Sequence, residues 1–145
     1  MERINLNKDI NCIDRFCKTL ELGIISTIAY IPKDIKISEI SLSVLAQLNE
    51  TSLKLNKLVI MLKKTVDTAK KDLNDVASNL DEIDDISERM FTRLKLNLYN
   101  FRVAKLDILI LEACAYINYI NDIDFIHNRD EEDITLSYTF HDREN

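Results

Sequence analysis

Histidine, serine and glycine are the residue types through which this sequence could support catalysis. The two histidines, His127 and His141, lie near the end of the chain, and neither has a second histidine at the i,i+3 or i,i+4 spacing of helical metal sites. A serine nucleophile would need a G-x-S-x-G elbow, and a phosphate-binding loop needs several glycines. The chain has one glycine, Gly23. We therefore predict no catalytic residues, no cofactor and no enzymatic activity.

Paired carboxylates are the second feature that could support chemistry, as a cation site. Asp81 and Asp85, and likewise Asp84 and Glu88, are separated by one helical turn. An EF-hand would need a central glycine and alternating ligands, which this run lacks. We predict no metal site and interpret the acids as a solvated helix face or a contact for a basic partner.

The cysteines and the charge balance limit the compartment and the partners. Cys12, Cys17 and Cys114 are an odd number, occupy apolar positions and form no C-x-x-C motif, which favours buried thiols in a reducing compartment, cytoplasmic or nuclear. A polar N-terminus without an apolar signal region gives no indication of export. The net charge of −6 and the absence of a basic stripe predict no nucleic-acid partner. Charged residues interrupt the most apolar stretch, 106–120, so we predict no membrane span.

Composition predicts which elements hold these residues. A chain of 145 residues with one glycine and one proline can form few tight turns. The expected fold class is therefore all-α, with long helices in an antiparallel bundle or coiled coil and a short strand-like tail at the C-terminus.

Breaks in the hydrophobic pattern divide the chain into a helical domain, 1–126, and a charged tail, 127–145. Pro32 ends the first helix, and Ser38 is the expected N-cap of the second. The heptad phase slips within an acidic run at 78–87, where we predict a corner rather than one continuous helix. The expected helices cover about 6–30, 38–80 and 87–125, and the strand-like segment covers 134–140.

The second helix carries a narrow apolar seam with alternating spacings of four and three. Most other positions between 63 and 80 are polar, which is typical of a coiled coil rather than a globular-core helix. Ala69, at the centre of the seam, favours a close helix approach. The seam predicts contact with another helix through Leu55, Val59, Leu62, Val66, Leu73, Val76, Leu80 and Ile83.

The third helix has apolar residues around most of its circumference. Such a helix must be covered on several sides, and any part left uncovered would form a partner surface. The residues that we expect in this buried helix and its contacts are Phe101, Leu109, Tyr116 and Tyr119.

The tail alternates apolar and hydroxyl residues with the period of a strand. Leu136, Tyr138 and Phe140 are its candidate interaction residues, together with Ile134. A lone strand cannot satisfy its own backbone groups. Two alternatives stay open: the strand adds to a partner's sheet or groove, or the tail is disordered or folds back on its own helices.

The motif Lys70-Lys71-Asp72-Leu73 resembles the K-x-D-L signature of a small helical family found in lysosome-positioning and organelle-biogenesis complexes. The resemblance covers about 48–83 and has no counterpart for the apolar third helix. It implies a coiled-coil subunit of a multi-protein assembly.

These patterns predict a non-enzymatic interaction protein, a helical subunit or adaptor of a hetero- or homo-oligomeric complex. The alternative is a self-contained helical bundle of viral or microbial origin that binds and inhibits a host or competitor protein. Abundant isoleucine, asparagine and lysine, typical of AT-rich codons, are compatible with that origin. A helical ribonuclease-like enzyme is disfavoured because no helix pairs arginine with histidine for it.

Overall fold

Three helices and a two-stranded antiparallel sheet make up the fold. The structure is a computed structural model that describes residues 6–129 and 134–139, except for the side chains of 6–14 and 16. The helices are α1 (Leu6–Ala29), α2 (Leu42–Ser78) and α3 (Ile86–His127), and the strands are β1 (Asp34–Lys36) and β2 (Thr135–Ser137). The prediction of an all-α fold with packed long helices and a strand-like tail is confirmed.

The start of α2 differs from its predicted start at 38. After Pro32 the chain forms β1 and a 3-10 turn, Ile37–Glu39, before the helix begins. Ser41, not Ser38, is the N-cap, and its hydroxyl accepts a hydrogen bond from the Val44 amide. The side chains of Ile35 and Ile37 are buried, and this burial holds the segment in the core instead of in a helical turn.

The α2 seam packs inside the chain, mainly against α3. Leu55 and Leu62 have no exposed surface. Along the pair, Lys70 Nζ lies 2.7 Å from Asp107 Oδ2, and Asn49 donates to Asp124 at 3.2 Å. Residues later in α2 thus meet residues earlier in α3, so the two helices are antiparallel.

The predicted corner lies between α2 and α3. The helix ends at Ser78, and a 3-10 turn covers Leu80–Glu82. Leu80 and Ile83 therefore do not continue the coiled coil, but Leu80 is buried and Ile83 packs against the core at this end of the hairpin. Asp85 caps α3 by accepting a hydrogen bond from the Ser87 amide at 2.9 Å, so α3 begins one residue before the expected position.

Helix α1 contacts both other helices. Gly23 faces Leu58 of α2, and a Cβ at this position would lie 3.6 Å from both Leu58 methyl groups, an ordinary contact. Glu21 pairs with Arg102 of α3 at 2.7 Å. Cys17 and Ile24 complete the buried side of α1.

The tail folds back on its own helices, which is one of the two alternatives left open by the sequence. Leu136 of β2 is in register with Ile35 of β1. The Tyr138 amide donates to the Lys33 carbonyl at 2.7 Å, and the Ile37 amide donates to the Ile134 carbonyl at 2.8 Å. The described part of the tail therefore finds its strand partner within the chain.

Candidate functional site

The largest group of exposed apolar side chains lies on the outer face of α3. Its members are large, and six of the eight are about three-fifths exposed or more. Monomeric proteins rarely expose contiguous apolar patches of this kind unless they bind something. We call this set the outer face: Ile86, Met90, Phe91, Leu94, Leu98, Phe101, Ile108 and Leu111.

The outer face follows from helical geometry. At 100° per residue, its eight positions fall within about 160° of the helix circumference. The buried residues of the same stretch, including Leu96 and Val103, lie on the opposite side against α2 and α1. The first half of α3 thus has one apolar side in the core and a second apolar side in solvent.

Heptad spacing is present on this exposed side. Met90, Leu94, Phe101, Ile108 and Leu111 occupy positions of a repeat with alternating steps of four and three, and the intervening positions are taken by smaller or polar residues. A 3.5-residue spacing is the pattern that places side chains along a seam with a partner helix. The outer face therefore has the pattern that α2 also has, but without a helix against it in the described chain.

Two lysines lie over aromatic rings of the outer face. Lys95 Nζ is 4.5 Å from the Phe91 ring centroid, and Lys105 Nζ is 4.7 Å from that of Phe101. Such contacts are each worth about 0.5–1 kcal/mol at exposed sites. The ammonium groups thus cover these two rings, and the lysine stems border the apolar surface.

The tail covers the continuation of the same face toward the end of α3. Leu98 and Tyr116, like Phe101 and Tyr119, are 18 residues apart, which is five helical turns. The Tyr138 ring stacks on Tyr116 with centroids 3.6 Å apart and meets Tyr119 edge-on at 5.9 Å. We call Tyr116, Tyr119, Tyr138 and the β1–β2 pair the clasp.

The environment of the clasp raises the pKa of each of its three tyrosines. The Tyr119 hydroxyl donates to the Pro32 carbonyl at 2.9 Å. Burial, and secondly the charge of Asp34, raise the pKa of Tyr119 to about 12. Burial, followed by the charge of Glu112, raises the pKa of Tyr138 and that of Tyr116. These phenols are therefore protonated at physiological pH, whereas a tyrosine acting as a general base or nucleophile needs the phenolate.

The predicted seam residues lie in the interior. The structure buries most of them between the helices of one chain and leaves Val76 and Ile83 partly buried. Their predicted role, contact with another helix, is thus filled by α3 and α1. The buried seam residues are Leu55, Val59, Leu62, Val66, Leu73 and Leu80.

The predicted residues of α3 divide between the two sides. Tyr116 and Tyr119 are buried and Leu109 is partly buried. The expectation that Phe101 lies in the buried helix is wrong: this residue is 61% exposed because its face points away from α2. In the tail, Leu136 and Tyr138 pack within the chain, and Phe140 lies outside the described residues.

Sequence reasoning missed the other members of the outer face. Because apolar residues surround the whole of α3, the sequence does not show which side of this helix is buried. That depends on how far α1 and the tail extend along α3. The available signal was the heptad spacing from Met90 to Leu111, which runs beside the core-facing residues.

The described part of the chain holds neither a metal-ligand cluster nor a membrane-spanning helix. Over residues 6–129 and 134–139, no three His, Cys, Asp or Glu side chains group as ligands for a metal ion. Among the described helices, none is both long enough and apolar enough to cross a membrane. Cys17 is buried and Cys114 is half-buried, while the Cys12 side chain lies outside the description.

No protein-family model, curated protein or solved structure matches this chain. The resemblance to the K-x-D-L family therefore rests on Lys70–Leu73 alone.

Proposed function

We propose that this protein is a non-enzymatic interaction module, a helical subunit or adaptor of a multi-protein complex, and that the outer face of α3 is its binding surface. The observation that carries the proposal is an exposed, heptad-spaced apolar surface on a helix whose other side already has a core. Water contact with such a surface is unfavourable, and a partner helix would remove it.

The core of the bundle forms without the outer face. The α2 seam, α1 and the clasp bury one another's apolar side chains, so the bundle needs no partner for its core. This self-sufficiency also supports the alternative of a self-contained bundle of viral or microbial origin that binds and inhibits another protein. Both versions use the same surface and predict a reducing compartment, cytoplasmic or nuclear. The two versions differ in the partner, which is another subunit of the complex in the first and a host or competitor protein in the second.

The test is purification of a tagged chain from its native source, followed by mass measurement of the native complex. The parent chain is compared with Leu94→Glu/Phe101→Glu on the outer face. The matched control is Leu53→Glu/Ile60→Glu, because these α2 residues are about as exposed, at 64% and 59%. Circular dichroism melting checks that each variant folds.

We expect the parent and the control to co-purify in a complex heavier than the 16.9 kDa chain, and the outer-face variant to lose that complex. Two glutamates placed in a desolvated helix contact would be buried without partners, which is strongly unfavourable. A folded outer-face variant that keeps the same complex would show that binding uses another surface. A parent chain found only at its own mass would contradict the proposal.

A further inference from the structure

We propose that the outer face of α3 binds the outer face of a second copy of this chain, with the two helices antiparallel. This inference rests on the proposed function and specifies its partner. It follows from the arrangement of charges and side-chain sizes on both sides of the outer face, which is complementary to itself in one register.

The apolar layers set that register. In an antiparallel pair, a and d positions of one helix face d and a positions of the other. With the two-fold axis beside residue 99, Met90 faces Ile108 of the second copy, and Leu94 faces Ala104. The first pair joins two large side chains, and the second places a large side chain opposite a small one, so both layers can close without a void.

The central layer is polar. Asn97 faces Phe101 of the second copy in this register. A single polar residue at a core position of a coiled coil reduces stability but specifies register and partner. Leu98, which is 69% exposed, lies on the flank and faces Leu98 of the second copy across the axis.

The flanking charges support the antiparallel direction. Arg93 and Asp107 lie on the same flank of the outer face and are equidistant from residue 100, so each faces the other residue of the second copy. Two opposite-charge pairs therefore form by symmetry. Asp107 already pairs with Lys70 of its own chain and is 41% exposed, so the second copy's Arg93 would extend this pair into a network.

A parallel pair would be repelled. In a parallel coiled coil, a flanking residue faces the residue five positions further along the second helix. Asp107 would then face Glu112 twice, and Arg93 would face Leu98, which offers no charge partner. Charge complementarity thus favours one direction of the two.

Residues 140–145 are a poor alternative cover for the outer face. Their sequence is Phe-His-Asp-Arg-Glu-Asn, with one apolar residue. Six residues with one apolar side chain supply too little apolar surface for eight large ones. A second copy of the chain supplies eight large apolar side chains.

The primary experiment is sedimentation equilibrium of the purified full-length chain, from about 1 µM to about 100 µM, a range suited to weak and moderate interfaces. We expect a reversible dimer, and Leu98→Glu to abolish it while Leu53→Glu leaves it unchanged. A parent chain that stays monomeric across this range overturns the inference. So does a dimer that is indifferent to Leu98→Glu.

Charge reversal tests the direction. Arg93→Glu alone places a carboxylate opposite Asp107 of the second copy, and Asp107→Arg alone places a guanidinium opposite Arg93, so each variant should dimerise roughly tenfold more weakly. An equimolar mixture of the two variants restores attraction between the copies, and we expect it to associate more tightly than either variant alone. Circular dichroism confirms that each variant is folded. A mixture that associates no better than the separate variants overturns the antiparallel register.

The two proposals fail differently. If the purified chain is monomeric but the complex from the native source still depends on Leu94 and Phe101, the outer face binds a different protein and only this inference fails. If that complex is indifferent to the outer face, the proposed function fails as well.

Discussion

Gly23 lies in the contact between α1 and α2. Its carbonyl accepts hydrogen bonds from the hydroxyls of Ser26 and Thr27, at 3.1 Å and 2.7 Å. The second bond satisfies the hydroxyl of Thr27, which is almost fully buried. The Cα of Gly23 faces Leu58 across the contact between α1 and α2, with room for one further carbon atom.

We therefore expect Gly23→Ala to stabilise the protein by about 0.5–1 kcal/mol, because alanine loses less backbone entropy in a helix and its methyl group makes an ordinary contact. Urea unfolding followed by circular dichroism measures this change. Gly23→Leu is the control, since a larger side chain cannot fit against Leu58. If Gly23→Ala lowered the free energy of unfolding, α1 and α2 would lie too close together at this position for an alanine methyl group.

The clasp tyrosines predict a loss of stability at high pH. The fold raises the pKa of Tyr119 from its ordinary value of about 10 to about 12 and raises that of Tyr138. Folding thus favours the neutral phenols, so their contribution is complete below about pH 10 and is lost as pH rises through the raised pKa. We expect the free energy of unfolding to fall between about pH 10 and 12.

Tyrosinate absorbance, compared between native and urea-unfolded protein, measures the delayed ionisation. Tyr138→Phe keeps the ring stack with Tyr116 but removes one ionising group, so its stability should fall less steeply with pH. An identical pH dependence in Tyr138→Phe would contradict the role of this phenol.

At the scale of elements, α2 has two sides with different energetic roles. Leu62 has no exposed surface, and Leu53, nine residues earlier, is 64% exposed. We expect Leu62→Ala to lower the free energy of unfolding by about 2–5 kcal/mol, since it removes core contacts and leaves a cavity. Leu53→Ala should change it by less than about 0.5 kcal/mol. If Leu62→Ala and Leu53→Ala lowered the melting temperature equally, Leu62 would not be a core residue.

The elements were predictable where the pattern is local. Heptad spacing identified the α2 seam, Pro32 located the end of α1, and the phase slip located the corner before α3. Strand β1 was not predicted, because Asp-Ile-Lys is too short for a period and its partner lies about a hundred residues later. Helix starts depend on which cap the tertiary fold selects: buried Ile37 lies in the 3-10 turn before α2, so Ser41 and not Ser38 caps that helix.

At the scale of the whole molecule, sequence could not say which apolar surface stays in solvent. The seam from Leu55 to Leu73 and the outer face from Met90 to Leu111 have similar spacing. The seam is covered because α3 turns back along α2, while the outer face ends where Tyr138 begins to cover α3. That division depends on tertiary topology, which a periodic pattern does not specify.

The corner and the clasp lie at opposite ends of the α2–α3 hairpin, so we expect the fold to survive a cut in the chain at the corner. A protease site inserted after Asp84, among exposed residues, would give two fragments. One fragment would hold α1, β1 and α2, and the other α3 and β2, so the seam and the strand pair would both cross the cut. We expect the cleaved halves to elute together in native buffer and apart in denaturant; halves that separate in native buffer would contradict this. The two fragments would then act as a split protein: fused to two other proteins, they would reassemble when those proteins come together.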